Sequence, residues 1–330
     1  MTAIPSNLVQ TLQTHTSPVN AITFSSLGGT YILTGSSDRQ VHLSRTEPSK
    51  STSTTTTSPI QKYASHGYPV LSIAVTRSNQ QFASSGGDRA VFLWDVSNAE
   101  GTTRRFGSNT SQAHTSRITC VEFAGADDSV LVSGSDDRSV RLWDVKSRDA
   151  KPLMVWEDAK DGVSCLSVPD NGVEVLSGSI DGRVRCYDVR MGRVVVDVMA
   201  GAVTSLELGR DGKTMLVGTL DGKVRLFDRR DGSCLRTFPN EDQEQGYKNE
   251  SLRLKSCLAM NDGLVLSGSE ADGKVRAWDV LSGKNVGDIT QNTTGKVVSV
   301  VSWREGSKTE ERTGVFAAGG AAGTVSIYGT

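Results

Sequence analysis

One turn, written seven times, constrains this chain more than any other feature. Gly35-Ser-Ser-Asp38, Gly86-Gly-Asp88, Gly134-Ser-Asp-Asp137, Gly178-Ser-Ile-Asp181, Gly218-Thr-Leu-Asp221 and Gly268-Ser-Glu-Ala-Asp272 are variants of it. A seventh copy, Gly319-Gly-Ala-Ala-Gly323, keeps the glycines and places Ala322 where the Asp would stand. Successive turn aspartates lie 40 to 51 residues apart. An alternating run follows each turn, as in Val91-Phe-Leu-Trp-Asp95, Val140-Arg-Leu-Trp-Asp144 and Val224-Arg-Leu-Phe-Asp228, and another precedes it, as in Val130-Leu-Val-Ser133. Two period-two runs joined by a Gly/Asp turn form a β-hairpin signal. Two more strand-like runs complete each unit, for example Ile118-Thr-Cys-Val-Glu-Phe123 and Pro152-Leu-Met-Val-Trp156. Four strands per unit at this period predict an all-β array whose units bury their faces against one another.

Composition narrows the function classes. The 330 residues carry 36 basic and 37 acidic side chains, a formal net charge of −1, so no global field draws the chain to nucleic acid or an anionic membrane. No apolar run approaches the roughly 18 residues of a membrane helix. Met1 to Leu12 lacks the basic and apolar stretches of a secretory leader, so no leader is expected. The five cysteines, Cys120, Cys165, Cys186, Cys234 and Cys257, are scattered and form no CxxC pair. That argues against a disulfide framework or a zinc knuckle and for a soluble protein of a reducing, intracellular compartment.

Units of about 40–45 residues with four strands and a terminal Trp-Asp resemble the WD40 family over nearly the whole chain. The resemblance implies a single seven-bladed β-propeller spanning residues 1–330. The strand type that follows each of the first six turns is missing after Val325-Ser-Ile-Tyr328, while an extra copy, Leu8-Val-Gln-Thr-Leu12, stands at the start. An unpaired sheet edge invites aggregation, so this N-terminal strand is expected to complete the last blade and close the ring. His15, His66 and His114 each stand four residues before Val19, Val70 and Ile118. In the family such a histidine joins a Ser/Thr, the turn Asp and the Trp in a buried hydrogen-bond chain. Carried over, the full sets are His66, Ser84, Asp88, Trp94 and His114, Ser133, Asp137, Trp143. Blades four to six lack the histidine and are expected to rely on packing.

Few residues remain for chemistry. A Ser–His–Asp triad built on His66 or His114 competes with the structural chain that uses the same residues. Gly268-Ser-Glu-Ala-Asp-Gly-Lys274 fits seven positions of a phosphate-binding loop, but Val275 replaces the metal-binding hydroxyl and a strand follows instead of a helix. No metal-ligand spacing occurs, and neither a cofactor nor a catalytic activity is expected. Interruptions of the repeat are read as loops: a mobile Ser/Thr-rich one at residues 48–59, a polar insertion from Asn240 to Glu250, and a charged segment from Arg304 to Arg312. Arg141, Arg185, Arg225 and Arg276, one per blade, are read as a rim pairing with acidic neighbours.

Longer strings go beyond the generic repeat, above all His66-Gly-Tyr68, Asp161-Gly-Val163, Ser179-Ile-Asp-Gly-Arg-Val-Arg-Cys-Tyr-Asp-Val-Arg-Met-Gly192 and Gln245-Gly-Tyr247-Lys248. They are similar to the mitogen-activated protein kinase organizer group of WD proteins. That likeness implies a monomeric, non-catalytic scaffold, cytoplasmic and nuclear, whose partners are signalling kinases or spliceosome components, with no direct RNA contact expected. A substrate receptor of a ubiquitin ligase is the alternative. In WD propellers partners dock on the face built from the loops before the innermost strands and the residues before each turn Asp. Here the loops supply Tyr68, Arg117, Asp161 and Arg253. The turns supply Ser37, Gly87, Asp136, Ile180, Leu220 and Ala271.

Overall fold

The computed structural model describes residues 4–26, 28–47, 58–108, 113–149, 151–169, 172–240, 246–291, 297–306 and 314–329. Within them the chain forms twenty-eight strands, β1 to β28, in seven four-stranded antiparallel sheets. Blade three shows the plan: β10 (Ile118–Ala124), β11 (Val130–Ser135), β12 (Val140–Asp144) and β13 (Met154–Trp156) pair in chain order. The innermost strands are β2 (Val19–Phe24), β6 (Val70–Val75), β10, β14 (Val163–Ser167), β18 (Val203–Leu208), β22 (Ser256–Ala259) and β26 (Val298–Glu305). They touch in that cyclic order and β26 returns to β2, giving a seven-bladed β-propeller around a central channel.

The ring closes by exchange of one strand. β1 (Asn7–Leu12) runs antiparallel to β28 (Val325–Gly329), with Leu12 opposite Val325 and Leu8 opposite Tyr328. The last blade therefore has the order β1-β28-β27-β26, where β27 is Gly314–Gly320. Leu12 is fully buried among Val19, Ile22, Val325 and Ile327, so the closing strand brings apolar area as well as backbone pairing.

Blades adhere through apolar clusters that cross from one sheet to the next. Phe106 and Leu93 of blade two pack with Ile118, Leu131 and Trp143 of blade three. A fully buried Val or Ile opens most innermost strands, among them Val19, Val70, Ile118, Val163 and Val203. The turn glycine follows from this packing. A methyl on Gly134 would lie 2.7 Å from Val163 Cγ1, and one on Gly178 would lie 2.6 Å from Val203 Cγ1. At Gly35, Gly134 and Gly178 the next blade's valine occupies the space a side chain would need, and at Gly86 and Gly268 the neighbouring backbone carbonyl does.

The interruptions depart from expectation in part. Of the Ser/Thr segment at 48–59, residues 48–57 lie outside the described residues. The insertion before blade six is not a solvated loop in its described part: Tyr247 and Asn249 are buried. The Tyr247 ring meets Trp278 edge-on at 5.3 Å, so an aromatic anchor holds the segment down. Arg304 and Glu305 belong to β26, and Arg304 Nη1 donates to the carbonyl of Gly29 at 3.1 Å. Residues 307–313 lie outside the described residues.

Candidate functional site

The hairpin turns and the loops before the innermost strands share one face of the ring, here the upper face, and a buried polar layer supports them. His66 Nδ1 lies 2.5 Å from Asp88 Oδ2, its Nε2 lies 2.7 Å from Ser84 Oγ, and Trp94 Nε1 donates to the same Oγ at 2.8 Å. Blade three repeats this: His114 to Asp137 at 2.9 Å, His114 to Ser133 at 2.8 Å, and Trp143 to Ser133 at 2.8 Å. The donor order fixes the tautomer. Tryptophan N–H donates to the serine oxygen, the serine O–H donates to Nε2, and Nδ1–H donates to the carboxylate. Burial holds the His114 ring below its ordinary value, against the pull of Asp137. Burial raises the Asp137 carboxyl, but His114 and Ser139 outweigh it and the group stays far below the carboxylate range. Blade one has the same set without the tryptophan: His15 contacts Asp38 at 2.9 Å and Thr34 at 2.8 Å. His42 stacks on His15 at 4.0 Å, and burial pushes it down to about 3. These contacts account for all four histidines.

The four arginines do pair with acidic neighbours, but they form no exposed rim: Arg141, Arg185 and Arg276 are buried and Arg225 is half-buried. The Arg185 side chain is 3% exposed, and its guanidinium donates to both oxygens of Asp181, at 2.6 and 3.3 Å. Arg276 holds Asp272 in the same way at 2.6 and 3.4 Å. Arg225 donates to Asp221 and, at 2.9 Å, to Thr219 Oγ1. Blades four to six therefore do not rely on packing alone. A buried carboxylate needs donors, and where no histidine descends from the upper loop an arginine four residues along the hairpin supplies them. Blade six divides the histidine's two contacts, Arg276 taking Asp272 and the Tyr247 hydroxyl taking Ser267 at 3.0 Å. Val-Arg follows the histidine-less turn of each of these blades, but Val140-Arg141 follows the histidine-bearing turn of blade three as well, with Arg141 Nη2 3.9 Å from Asp137, so the sequence alone did not separate the two devices.

On the surface above, the structure brings three of the candidate residues together. Asp136 receives Arg117 Nε from its own blade and Arg253 Nη2, at 3.0 Å, from blade six across the ring. Tyr68 stands 58% exposed over Gly87, where a methyl would come within 2.6 Å of Tyr68 Cβ. Asp161 is exposed, with its carboxylate on the amide of Gly162 at 2.7 Å. Ile180, Leu220 and Ser37 are half-buried, their amides donating to the Gly162, Ala202 and Pro18 carbonyls at 2.9 Å each. They stand apart from the arginine pair. Ala271 is exposed, but the residue that acts at this position of blade six is Glu270. Its carboxylate accepts from the amides of Glu250, Ser251 and Leu252 and from the Ser251 hydroxyl, organising the loop that carries Arg253. The extra residue in Gly268-Ser-Glu-Ala-Asp272 was the sequence signal for this shift.

Beneath the arginine pair the channel mouth forms a cavity of about 340 Å³ lined by all seven blades. Small polar side chains of its rim tie four of the blades to the next one's backbone. Asn20 donates to the Val70 carbonyl at 2.8 Å, Ser299 to Val19 at 3.0 Å, and Thr119 and Ser164 to Val163 and Val203. A deeper cavity of about 250 Å³ holds Lys255, Glu122 and Glu207. Desolvation pushes the carboxyls up, Glu122 to about 7 and Glu207 to about 8, and lowers Lys255. Burial likewise raises the Cys120 thiol to about 12 and Cys165 to about 11, which keeps both protonated and unreactive at neutral pH. A larger cleft, about 660 Å³, opens on the opposite face between blades two and three and contains none of the candidate residues.

Comparison with known proteins agrees with this architecture. The family described as WD domain, G-beta repeat matches residues 6–43, 57–95, 108–144, 150–188 and 195–228. The WD repeat domain-containing protein 83 homolog of Dictyostelium discoideum is 29% identical over 299 residues, covering 83% of this chain and 85% of that protein. The WD repeat domain-containing protein 83 of Xenopus tropicalis is 40% identical over 141 residues, covering 43% of this chain and 42% of that protein. Autophagy-related protein 16 of Arabidopsis thaliana is 28% identical over 293 residues, 88% of this chain but 53% of that protein. With five matched repeats spread over more than half its length and a closed ring of seven four-stranded blades, the chain belongs to the WD-repeat family.

Proposed function

We propose that this propeller is a non-catalytic scaffold whose upper face docks a protein partner around Arg117, Asp136 and Arg253. The observation that carries this reading is the bridge across the channel mouth. Two arginines from blades three and six converge on one aspartate, and exposed Tyr68 and Leu252 lie on the same face. Arginine and aromatic side chains on a rigid, preorganised surface are what interface centres use. From the resemblance to the kinase organizer group we further propose signalling kinases or pre-mRNA splicing factors as the partners, and cytoplasm and nucleus as the location.

The test pairs affinity purification from nuclear and cytoplasmic extracts with the double variant Tyr68→Ala, Arg117→Glu. Neither residue belongs to the buried polar layer, so the melting curve should be unchanged. Binding of the main partner should weaken by at least about 2 kcal/mol. Undiminished binding with an unchanged melt would remove the upper face from consideration. Recovery of ubiquitin-ligase subunits in place of kinases or splicing factors would replace the scaffold reading.

A further inference from the structure

A second interaction surface lies on the outer edge of blade four, away from the upper face. Its outermost strand, β17 (Val194–Val198), reads Val-Val-Val-Asp-Val, and Val195, Val196 and Val198 are 61%, 44% and 75% exposed. Of the thirteen large apolar side chains exposed among the described residues, seven lie on the outer strands and adjoining turns of blades three to five, four of them in blade four. Three of the other outer edges are blunted, whereas β1 and β13 also lack charge but expose only one large apolar side chain each. β5 (Gln61–Tyr63) carries Lys62, β9 (Arg104–Phe106) carries two arginines, and β21 (Cys234–Phe238) carries Arg236. Edge strands of soluble proteins are ordinarily protected by such charges, and an apolar edge without them is open to pairing.

The backbone of β17 is set for it. The Asp188 amide donates to the Arg193 carbonyl at 2.9 Å, and the Met199 amide donates to the Gly182 carbonyl at 2.8 Å. Between these points the register with β16 (Arg183–Asp188) runs unshifted, from Tyr187 opposite Val194 to Arg183 opposite Val198. Arg193, Val195, Asp197 and Met199 therefore turn their backbone groups inward, while Val194, Val196 and Val198 turn theirs out to solvent. The sheet ends at this strand. We infer that β17 receives an extended peptide segment of a partner protein as a fifth strand of blade four, held by main-chain pairing and by alternating aliphatic contacts.

The occupant follows from size and charge. A second copy would offer a strand only about 16 Å long, too little to approach the roughly 1,200 Å² a stable dimer buries. Asp197 is the one ionisable group on the strand, and it lies beside the blade-five hairpin, where a methyl on Gly232 would come within 3.2 Å of its Oδ1. The matching peptide alternates β-branched or aliphatic residues and carries a lysine or arginine opposite Asp197.

The experiment selects a phage-displayed library of random dodecapeptides on the full chain and measures enriched peptides by fluorescence anisotropy. Val196→Pro removes an outward N–H while leaving the ladder to β16 intact, and Val196→Thr keeps the backbone. Val195→Lys with Val198→Lys supplies a second block should the proline variant unfold. The inference expects basic, alternately aliphatic peptides that bind the wild type and the threonine variant and bind the blocked variants at least about tenfold more weakly, with melting curves unchanged. Peptides that bind wild type and blocked variants alike overturn it. So does a concentration-dependent dimer lost on blocking β17 with no peptide dependent on that edge, because the occupant would then be a second copy. The upper-face variant Tyr68→Ala, Arg117→Glu should leave peptide binding intact, which separates failure of this inference from failure of the docking face.

Discussion

The arc of blades one to three and the arc of blades four to six solve one problem with different chemistry. Both must hold a turn aspartate beneath the upper face. The first arc uses a neutral histidine that descends from the preceding loop, tying loop, turn and inner strand together through His15, His66 and His114. The second uses an arginine four residues along the same hairpin, so the contact is local to the turn. The residue after the aspartate differs in parallel. It is left-handed in both arcs, at φ of 70°, 59° and 72° in Arg39, Arg89 and Arg138, and at 74°, 75° and 69° in Gly182, Gly222 and Gly273. The histidine arc tolerates a strained arginine there, whereas the arginine arc uses the residue that adopts the conformation freely. Blade seven has neither device at its turn and depends on the strand lent by the N-terminus. The lowered imidazoles of His15 and His114 make blades one and three sensitive to mild acid; a carboxylate held by an arginine makes the second arc indifferent to pH over the same range.

The comparison can be broken hardest at blade seven. Removing residues 1–13 should leave β28 unpaired and expose the pocket of Leu12, giving aggregation or loss of a cooperative melt. A truncated chain that melts like the intact one would show that closure does not need β1. Next come the two devices themselves. Arg185→Ala strands a buried carboxylate and should cost about 3–5 kcal/mol. Asp38→Ala strands only neutral donors, the His15 ring and the Thr16 and Gln40 amides, and should cost about 1–3 kcal/mol. The control Ala322→Ser, at the turn without an aspartate, should be near neutral. Chemical denaturation of the three variants checks the order, and a smaller loss for Arg185→Ala would refute the ion-pair reading of the second arc.

Acidification should separate the arcs without mutation. His114 titrates below its ordinary 6.5 when folded, so the unfolded chain takes the proton first. The stability this ring contributes is complete above pH 6.5 and is lost as pH falls from there towards the lowered folded value. Asp181, also lowered, contributes stability that is lost only as pH falls below its ordinary 3.8. Hydrogen exchange corrected for intrinsic rates should therefore show β11 and β12 losing protection between pH 7 and pH 5 while β15 (Glu174–Ser179) and β16 keep theirs. A local probe is needed because Glu122 and Glu207, raised to about 7 and 8, act in the opposite sense. Their stability is present at low pH and lost as pH rises through those values. The smallest effect belongs to the left-handed position. Gly182→Arg should destabilise, and Arg138→Gly should stabilise or be neutral, each by about 1 kcal/mol in thermal denaturation.

The ring, the blade count and the closing strand were legible in the sequence because each is set by a short-range pattern. Period-two alternation, a turn that needs glycine against a neighbouring valine, and a strand missing at one end and spare at the other can all be read locally. The histidine sets were legible through the family resemblance, which places a histidine before the innermost strand and pairs it with the turn aspartate at the open end of the same hairpin. What only the tertiary structure decided was contact across the ring. Arg253 and Asp136 are 117 residues apart in sequence, and no local pattern records that the blade-six loop, organised by Glu270, reaches over the channel to blade three. The arginines were visible but misplaced, because alternation gives the face of a strand and not the side of it that the next blade covers. The insertion around Tyr247 looked polar by composition, yet one aromatic ring against Trp278 was enough to bury it.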